Sequence, residues 1–433
     1  MNYQETIHYL YNQLPVYQNI GGSAYKEGLD NSLALDEYFG HPHKKYKTIH
    51  VAGTNGKGST SHLLAAVLQE SGYRIGLYTS PHLVDFRERI RVNGEKISEQ
   101  YVTDFVQNHR ENFEPIQPSF FELTMMMAFL YFKDMEVDIA VIETGLGGRL
   151  DSTNIISPAV SVITNISYDH TQYLGNTLEK IAAEKAGIIK PGIPVVIGEA
   201  EGEVRKVFED KANSMDASIV FAEDKNIIKN AQMQENGFWL MQTQDYPDLI
   251  GELGGLPQVK NTAAVLCTID VLSGEGISIM PQAVYSGFAN VVELTGLLGR
   301  WQIIRQRNPR IICDTGHNAG GFKYITRQLE SETYKTLRII IGMVNDKDIS
   351  NVLNLLPKNA VYYFTKASIQ RALNEKILME QASSRGLTGM AYASVKDAIS
   401  KAISDADEDD LLFIGGSNFV VAEALAYFEE KSQ

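Results

Sequence analysis

A chain of 433 residues is too long for one ordinary hydrophobic core, so two domains are expected. With 44% hydrophobic and 21% charged residues, the composition excludes a disordered or fibrous chain and is typical of a globular enzyme. The net charge of −14 argues against a nucleic-acid partner, since nucleic acids are bound by clusters of lysine and arginine.

The two cysteines, Cys267 and Cys313, are far apart and show no Cys-x-x-Cys spacing. They predict neither a disulfide framework nor a structural zinc site, and they favour a reducing cytoplasm. Residues 1–14 lack the cationic head and apolar stretch of an export signal, and no window approaches the roughly 18 apolar residues that span a bilayer. We therefore expect a cytoplasmic protein with no membrane segment and no membrane partner.

Two helical patterns, residues 3–14 and 31–39, precede the most informative stretch of the chain, residues 53–60. An apolar run precedes this stretch and a helix-like segment follows it, which predicts strand, loop and helix. Three glycines in six residues let backbone N–H groups turn inward, and the helix N-terminus adds positive charge, so the loop is expected to bind phosphate. The candidate ATP-binding residues here are Gly53, Thr54, Asn55, Gly56, Lys57, Gly58, Ser59 and Thr60.

Within this loop, Lys57 is expected to meet the β- and γ-phosphates as a catalytic cation, and Ser59 or Thr60 to lie near a bound magnesium ion. The spacing differs from the common phosphate-loop pattern, because Gly58 stands between Lys57 and the hydroxyls. The alternative is a glycine-rich strand-to-helix turn that binds nothing.

Three later apolar runs predict parallel strands that end near the same sheet edge, where open α/β sheets bind ligands. The run over residues 74–79 is followed by Ser80, the run over 138–143 ends in Glu143, and the run over 159–165 precedes His170. Glu143 is the first candidate for magnesium. Taken alone, Ser80 is typical of a turn and His170 of a structural histidine, but the convergence of the three strand ends makes His170 a candidate metal ligand.

Two further stretches have a structural and a functional interpretation. Ser119 and Glu122 form a capping-box pattern at the start of an apolar helix that extends to Phe132. Residues 144–154 form a glycine-rich turn that carries Arg149 and Asp151, which in isolation is a plain loop. Residues 86–94 are rich in charge and by that criterion form a solvated face. Asn261 stands at the head of another apolar helix, where it could be the N-cap.

The loop at 53–60 resembles the ATP loop of the folylpolyglutamate synthase/dihydrofolate synthase family, which is related to the Mur peptide ligases, and residues 144–154 match the same family closely. The resemblance implies an N-terminal phosphate-loop ATPase domain with a mostly parallel sheet. It also implies two magnesium sites and ATP as co-substrate. Asn31 departs from the family pattern, which usually carries arginine at this position.

The resemblance also implies residue roles. It assigns Ser80 and His170 to metal, alongside the candidates Glu143 and Ser59. It also assigns Phe121, Glu122, Arg149 and Asp151 to the folate, and Asn261 to ATP. It further implies that Lys185, in the string Glu-Lys-Ala-Gly-Ile, is carbamylated and acts as a catalytic metal ligand. An uncharged amine adds carbon dioxide, and the resulting anion offers magnesium the oxygen ligands that a protonated amine lacks. On local sequence alone, Lys185 is an ordinary helical lysine.

A boundary is predicted near residues 292–298, so the expected domains are 1–295, which binds ATP and folate, and 299–433, a smaller Rossmann-like α/β domain. Strand ends again carry polar groups in this second domain. Asp314 and Arg300 are candidates for ATP, and His317, in a string that resembles the family, is a catalytic candidate. Lys347 and Ser417 are candidate glutamate-carboxylate contacts, with a surface lysine and a helix N-cap as the alternatives.

Together these features predict an ATP-dependent ligase that joins L-glutamate to a folate-type carboxylate through an acyl phosphate. The acceptor, reduced folate or dihydropteroate, stays open, and a monomer is expected. A Mur-type cell-wall ligase is one alternative, although only 52 residues precede Gly53, too few for its extra N-terminal domain. A phosphate-loop ATPase without ligase activity is the other alternative.

Overall fold

The computed structural model describes residues 1–15, 28–345 and 349–432, and its chain divides into two compact units. The first unit contains Met1–Gln232, Leu240–Glu252 and Gln258–Leu297, and the second contains Met233–Trp239, Leu253–Pro257 and Leu298–Gln433. The last change of unit falls at residues 297–298, within the stretch where the sequence predicts a boundary. The two short segments of the second unit that come before it were not predicted.

The first unit is built on an eight-stranded sheet with a separate three-stranded sheet formed by β9, β10 and β11. Its strands are β1 Lys47–Ala52, β2 Ile75–Tyr78, β3 Ile90–Val92, β4 Glu95–Lys96, β5 Ile139–Glu143, β6 Val160–Ile163, β7 Val195–Ile197, β8 Ile219–Phe221, β9 Ile228–Met233, β10 Trp239–Thr243 and β11 Leu249–Gly251. Its helices are α1 Tyr3–Gln13, α2 Asp30–Tyr38, α3 Lys57–Glu70, α4 Glu99–Phe113, α5 Phe120–Asp134, α6 Thr171–Leu174, α7 Leu178–Ala186, α8 Gly202–Ser214, α9 Ala222–Lys225, α10 Pro257–Gly274, α11 Pro281–Ala289 and α12 Val291–Thr295.

In the large sheet the strand order is β4-β3-β2-β5-β1-β6-β7-β8. The six strands from β2 to β8 run parallel, whereas β3 and β4 are antiparallel at one edge. The central strands are mostly apolar because helices cover both faces of such a sheet, and five of the six residues of β1 are buried. Strand β1 lies between β5 and β6, with Val51 opposite Glu143 and Ala52 opposite Ile163. This register brings the ends of three strands together at one edge.

The second unit contains a six-stranded sheet with the strand order β12-β13-β17-β14-β15-β16. All its pairs are parallel except β12 with β13. The strands are β12 Gln302–Arg305, β13 Arg310–Cys313, β14 Leu337–Ile341, β15 Val361–Phe364, β16 Thr388–Ala391 and β17 Leu411–Gly415. The helices are α13 Ala319–Ser331, α14 Ile349–Leu355, α15 Glu375–Ser383, α16 Val395–Ser404 and α17 Asn418–Ser432. The predicted pair of α/β units with mostly parallel sheets is confirmed.

Several elements differ from the sequence prediction. No sequence pattern identifies strand β16 or the antiparallel edge strand β12. Helix α8, within residues 195–250, is not identified by any sequence pattern either. The charged segment 86–94 is not a solvated face, because Arg89 is 3% and Arg91 7% exposed. Burial of the two guanidinium groups lowers the pKa of both.

Cys267 and Cys313 are both buried and free, as expected from their spacing. Across the described ranges, no helix has the combination of length and apolar character that crossing a membrane requires.

Candidate active site

The loop after β1 forms a backbone nest at residues 53–56, and two glycines make it possible. Gly53 has a φ of +148°, and a Cβ at this position would lie 1.8 Å from Thr164 Oγ1. Gly56 has a φ of +82° and begins helix α3 as its N-cap, and a Cβ there would lie 2.3 Å from Asn261 Oδ1. Both residues therefore need glycine for conformation and for space, and the N-terminus of α3 points its free N–H groups to the loop.

The end of the neighbouring strand β6 holds the loop in place. Thr54 N–H donates to the Asn165 carbonyl oxygen at 2.9 Å, and Asn55 N–H donates to Asn165 Oδ1 at 3.1 Å. Thr164 Oγ1 donates to the Asn55 carbonyl oxygen at 2.6 Å, and Asn55 Nδ2 donates to Ser167 Oγ at 3.1 Å. The apolar run over residues 159–165 predicts this strand, but no sequence pattern indicates the roles of Thr164, Asn165 and Ser167.

Lys57 is the first residue of α3, and its side chain lies back over the loop. Its Nζ is 3.2 Å from the Gly53 carbonyl oxygen and 3.4 Å from that of Thr54. Ser59 and Thr60 are 1% and 0% exposed. Ser59 Oγ accepts from Gln258 Nε2 at 3.2 Å, and Thr60 Oγ1 has no hydrogen-bond partner among the described residues. The positive charge and the hydroxyls thus lie where the loop predicts them.

Asn261 is not the N-cap of its helix, because α10 begins four residues earlier at Pro257. It is 5% exposed, and its Nδ2 donates to Gln258 Oε1 at 2.9 Å. Its own Oδ1 is the atom that limits the space at Gly56. The capping interpretation is therefore wrong, and the side chain lies against the nest.

Glu143 and Ser80 meet at the ends of the adjacent strands β5 and β2. Glu143 is 3% exposed, and its Oε2 accepts the Ser80 N–H at 2.9 Å. Carboxylate and hydroxyl oxygens are the ligands that magnesium prefers. A buried carboxylate beside a phosphate nest fits a site for a divalent cation, since the cation would balance its charge.

His170 precedes α6 in the left-handed conformation, with a φ of 51°. Its Nε2 lies 3.7 Å from Asp169 Oδ1, and its side chain is 24% exposed. The order β1, β6 in the sheet places the loop that carries His170 next to the loop of the nest.

Lys185, on α7, is brought directly to the nest. Its side chain is 4% exposed, and its Nζ donates to the Gly53 carbonyl oxygen at 2.8 Å. Burial, with the Lys57 charge as the second cause, lowers the pKa of Lys185 to about 7. The interpretation as a solvent-facing helical lysine is therefore wrong. At neutral pH a large share of this amine is uncharged, which is the form that reacts with carbon dioxide.

The glycine-rich turn at residues 144–151 packs against the end of α7 by backbone contact. A Cβ on Gly148 would lie 2.8 Å from the Glu184 carbonyl oxygen, and one on Gly187 would lie 2.3 Å from Arg149 Cα. Arg149 N–H donates to the Glu184 carbonyl oxygen at 2.7 Å, and its guanidinium pairs with Glu184 Oε1 at 2.9 Å. The Arg149 side chain remains 56% exposed and can reach a ligand.

Asp151 is buried and accepts hydrogen bonds from its own turn. It is 4% exposed, and it accepts N–H groups from Leu146 at 2.7 Å and from Thr153 at 3.0 Å. Burial raises its pKa. Thr153 Oγ1 also contacts His50 Nε2 at 2.8 Å, which links Asp151 to strand β1. The placement supports a structural role for Asp151, which shapes the glycine turn, and the folate contact of this residue stays a prediction.

Phe121 and Glu122, the other predicted folate contacts, differ in their surroundings. The Phe121 ring packs on Gly145, where a Cβ would come within 2.5 Å, and lies 5.8 Å from the Tyr78 ring. Glu122 is 3% exposed and completes the predicted capping box, since its Oε2 accepts the Ser119 N–H at 2.6 Å. Asn31 Nδ2 lies 3.4 Å from the same oxygen. Only Phe121 of this pair is placed at the glycine turn.

In the second unit, Asp314 organises the end of β13. Its Oδ2 accepts the Trp301 N–H at 2.8 Å, and its Oδ1 accepts the Gly316 N–H at 2.7 Å. Burial raises its pKa. The Arg300 guanidinium donates to the Gly299 carbonyl oxygen at 3.2 Å and contacts Thr315 Oγ1. His317 Nδ1 donates to the Thr315 carbonyl oxygen at 3.0 Å, so these three predicted residues share one strand end.

Ser417 follows β17 in the same sheet and is 3% exposed. Its Oγ accepts the Val420 N–H at 3.2 Å, which caps helix α17 and matches the structural alternative weighed for it. Lys347, its predicted partner at the glutamate carboxylate, lies outside the described residues.

A nest after a central parallel strand, a lysine over that nest and a buried carboxylate at the next strand end define a nucleotide-binding protein of the phosphate-loop class. Comparison with known proteins identifies the family within this class. Residues 51–269 match the family of the Mur ligase middle domain, and residues 299–418 match that of the Mur ligase glutamate ligase domain.

Curated relatives and solved structures agree with these matches. The dihydrofolate synthase/folylpolyglutamate synthase of Bacillus subtilis is 33% identical over 92% of this chain and 94% of its own. The dihydrofolate synthase/folylpolyglutamate synthase of Escherichia coli is 33% identical over 88% of this chain and 86% of its own. The structure of E. coli FolC in complex with DHPP and ADP superposes with a TM-score of 0.87 at 28% identity, over 100% of this chain and 99% of its own. The structure of a bifunctional folylpolyglutamate synthase/dihydrofolate synthase with Mn, AMPPNP and L-glutamate bound gives a TM-score of 0.82 at 29% identity, over 99% of this chain and 98% of its own. The chain belongs to the folylpolyglutamate synthase/dihydrofolate synthase family of Mur-type ligases.

Proposed function

We propose that this protein is an ATP-dependent amide ligase that adds L-glutamate to a folate-type carboxylate. The observation that carries the proposal is the nest at Gly53 and Gly56, with the Lys57 ammonium over it and the buried Glu143 at the neighbouring strand end. Family membership supports the choice of substrates, because similar structures bind ADP with DHPP, or AMPPNP with Mn and L-glutamate.

The proposed reaction has two steps. A carboxylate is a poor electrophile, so one of its oxygens first takes the γ-phosphoryl group of ATP, which gives an acyl phosphate and ADP. The amine of glutamate then attacks the acyl carbon, loses a proton and displaces inorganic phosphate, which leaves an amide bond. The Lys57 ammonium would stabilise the negative charge on the transferred phosphoryl oxygens, because a fixed cation in a dry site needs no reorganisation.

Several side chains of the first unit would hold magnesium, whose role is to neutralise phosphate charge. We assign Glu143, Ser80, His170 and Ser59 to this task, and we propose two magnesium sites. The Lys185 amine, once carbamylated, would add an oxygen ligand. Its burial and lowered pKa support this modification, since only a neutral amine adds carbon dioxide.

For the organic substrates we propose contacts from both units. In the first unit, Asn261 would contact ATP, and Phe121 and Arg149 would contact the folate. In the second unit, Arg300 and Asp314 would contact ATP, His317 would act near the reacting groups, and Ser417 with Lys347 would contact the glutamate carboxylate. We propose a monomer as the active form, since these residues all belong to one chain.

The test is glutamate-dependent ADP formation by the full chain, with dihydropteroate and a reduced folate offered separately. We expect ADP only when ATP, glutamate and an acceptor are all present, and we expect Lys57→Ala to reduce turnover by at least about 100-fold without unfolding. A uridine-nucleotide acceptor of the Mur type is the control and is expected to give none. If ADP formed at the same rate without glutamate and acceptor, the protein would be a phosphate-loop ATPase without ligase activity.

A further inference from the structure

A cluster of three potential metal ligands lies away from the nest, where α2 leads into β1. Asp36 is in α2, His41 follows that helix, and His43 is in the 3-10 helix Pro42–Lys45. One ligand atom from each residue lies within 4.8 Å of the others. Strand β1 begins at Lys47 and its far end carries the nest, so the cluster is roughly 20 Å from the phosphate loop along the strand.

The distances in this cluster fit a small dication. Asp36 Oδ2 lies 3.3 Å from His43 Nε2 and 2.6 Å from His41 Nδ1. Two ligands about 2.0 Å from a tetrahedral zinc ion are about 3.3 Å apart, which the first pair already matches. The His41 ring would have to withdraw by about 0.7 Å, and its side chain is 45% exposed.

A second observation, independent of the hydrogen bonds between the three side chains, also points to a bound ligand: one oxygen of Asp36 is buried without a partner among the described residues. Asp36 is 4% exposed, and its second oxygen, Oδ1, is buried with no hydrogen-bond partner in the part of the chain that the structure describes. A carboxylate oxygen that is buried and unpaired destabilises the folded protein, so this oxygen needs a partner. A metal ion held by both carboxylate oxygens would satisfy it.

The backbone holds the ligands close together in advance. His41 N–H donates to the Asp36 carbonyl oxygen at 2.8 Å, and His41 itself has a φ of 54°. Lys44 N–H then donates to the His41 carbonyl oxygen at 3.1 Å, which starts the 3-10 helix that carries His43. The three ligands therefore come from one short, internally bonded segment.

We propose that Asp36, His41 and His43 form a binding site for a zinc-type transition-metal dication. Two imidazole nitrogens and one carboxylate suit zinc, cobalt or nickel, whereas magnesium prefers oxygen ligands alone. The partly exposed side of His41 leaves the fourth position to water. Such an ion ties the end of α2 to the start of β1, and it is separate from the magnesium of the proposed ligase reaction.

The experiment titrates zinc into the metal-stripped full chain in the presence of a chromophoric zinc indicator and excess magnesium. We expect one equivalent of zinc to bind and the Tm to rise by about 5 °C at a hundredfold excess over Kd. His41→Ala, at the half-exposed ligand, should weaken zinc binding by at least about tenfold. His8→Ala removes an exposed imidazole outside the cluster and should change nothing.

A second measurement uses the unaltered chain, so it does not depend on the folding of a variant. Zinc should protect His41 from acylation by diethyl pyrocarbonate, as read by peptide mass spectrometry, and cobalt should give the visible bands of a four-coordinate nitrogen and oxygen site. The proposal is overturned if zinc binds no more tightly to the wild type than to His41→Ala, or if zinc leaves the acylation of His41 unchanged.

Discussion

Removal of carbon dioxide should inactivate the enzyme if Lys185 acts as a carbamate. With its pKa lowered to about 7, about half of this amine is neutral at pH 7. A lysine with the ordinary pKa of 10.5 would be neutral in only about one molecule in 3,000, so burial raises the reactive fraction about a thousandfold. The sign follows from the direction of the shift: as pH rises through about 7, the amine loses its proton and carbamate formation becomes easier.

The assay measures ligation in buffer stripped of carbon dioxide, before and after bicarbonate is added. We expect wild-type activity to fall on stripping and to recover with bicarbonate, with a larger recovery at pH 8 than at pH 6. Lys185→Ala should lose at least about 100-fold in turnover, ignore bicarbonate and recover in part with acetate, which can occupy the vacated ligand position. Lys180→Ala, at an exposed lysine of the same helix, is the matched control and should behave like the wild type.

A direct readout is the ¹³C NMR spectrum of the protein after exposure to labelled carbon dioxide. A carbamate signal should be present in the wild type and in Lys180→Ala and absent from Lys185→Ala. Full activity in stripped buffer, together with no labelled signal, would refute the reasoning about Lys185.

Three further predictions follow from the geometry. Gly56→Ala should weaken ATP binding more than about tenfold, because the new methyl group would collide with Asn261 Oδ1. Gly72→Ala is the control: with a similar φ of +88° and nothing within 4 Å, it should only lower the free energy of unfolding by the αL cost of about 1–2 kcal/mol. Equal losses of ATP affinity in the two variants would contradict the nest. Glu143→Gln keeps the shape that meets the Ser80 N–H, so it should shift the magnesium dependence of activity and leave the Tm nearly unchanged; an unaltered magnesium titration would place the metal elsewhere. Ser417→Ala and Ser394→Ala each remove a helix N-cap worth about 1 kcal/mol of stability. Only Ser417→Ala should also raise the KM for glutamate. A matching rise in the KM of Ser394→Ala would indicate general damage.

The nest was predictable from sequence because its chemistry lies in contiguous residues. Glycines at positions of positive φ, a lysine and two hydroxyls all fall within residues 53–60, after an apolar strand that periodicity identifies. The anchoring of the loop was not predictable, since Asn55 and Asn165 are separated by 110 positions in the chain. Such a contact depends on which strands become neighbours, and local pattern does not determine this.

Other errors have equally specific causes. A carboxylate in a glycine-rich turn has the same sequence pattern whether it faces a substrate or, like Asp151, accepts backbone N–H groups of its own turn. The true start of α10 carried a signal that was overlooked, because Pro257 is a favoured first residue of a helix. Strand β16 gave little signal, since Gly389 reduces its apolar pattern; a Cβ there would lie 2.1 Å from the Tyr362 carbonyl oxygen of β15.

The backbone contact between the glycine turn and the end of α7 limits how this protein can be recombined with its relatives. Gly148 and Gly187 allow no side chain between the two segments, so a shift of one displaces the other and, with it, the Lys185 amine from Gly53. A chimaera that exchanges only the turn, or only the helix, would join surfaces shaped for different partners. Residues 144–188 should therefore be transplanted as a single block if the donor's proposed metal ligands are to keep their positions.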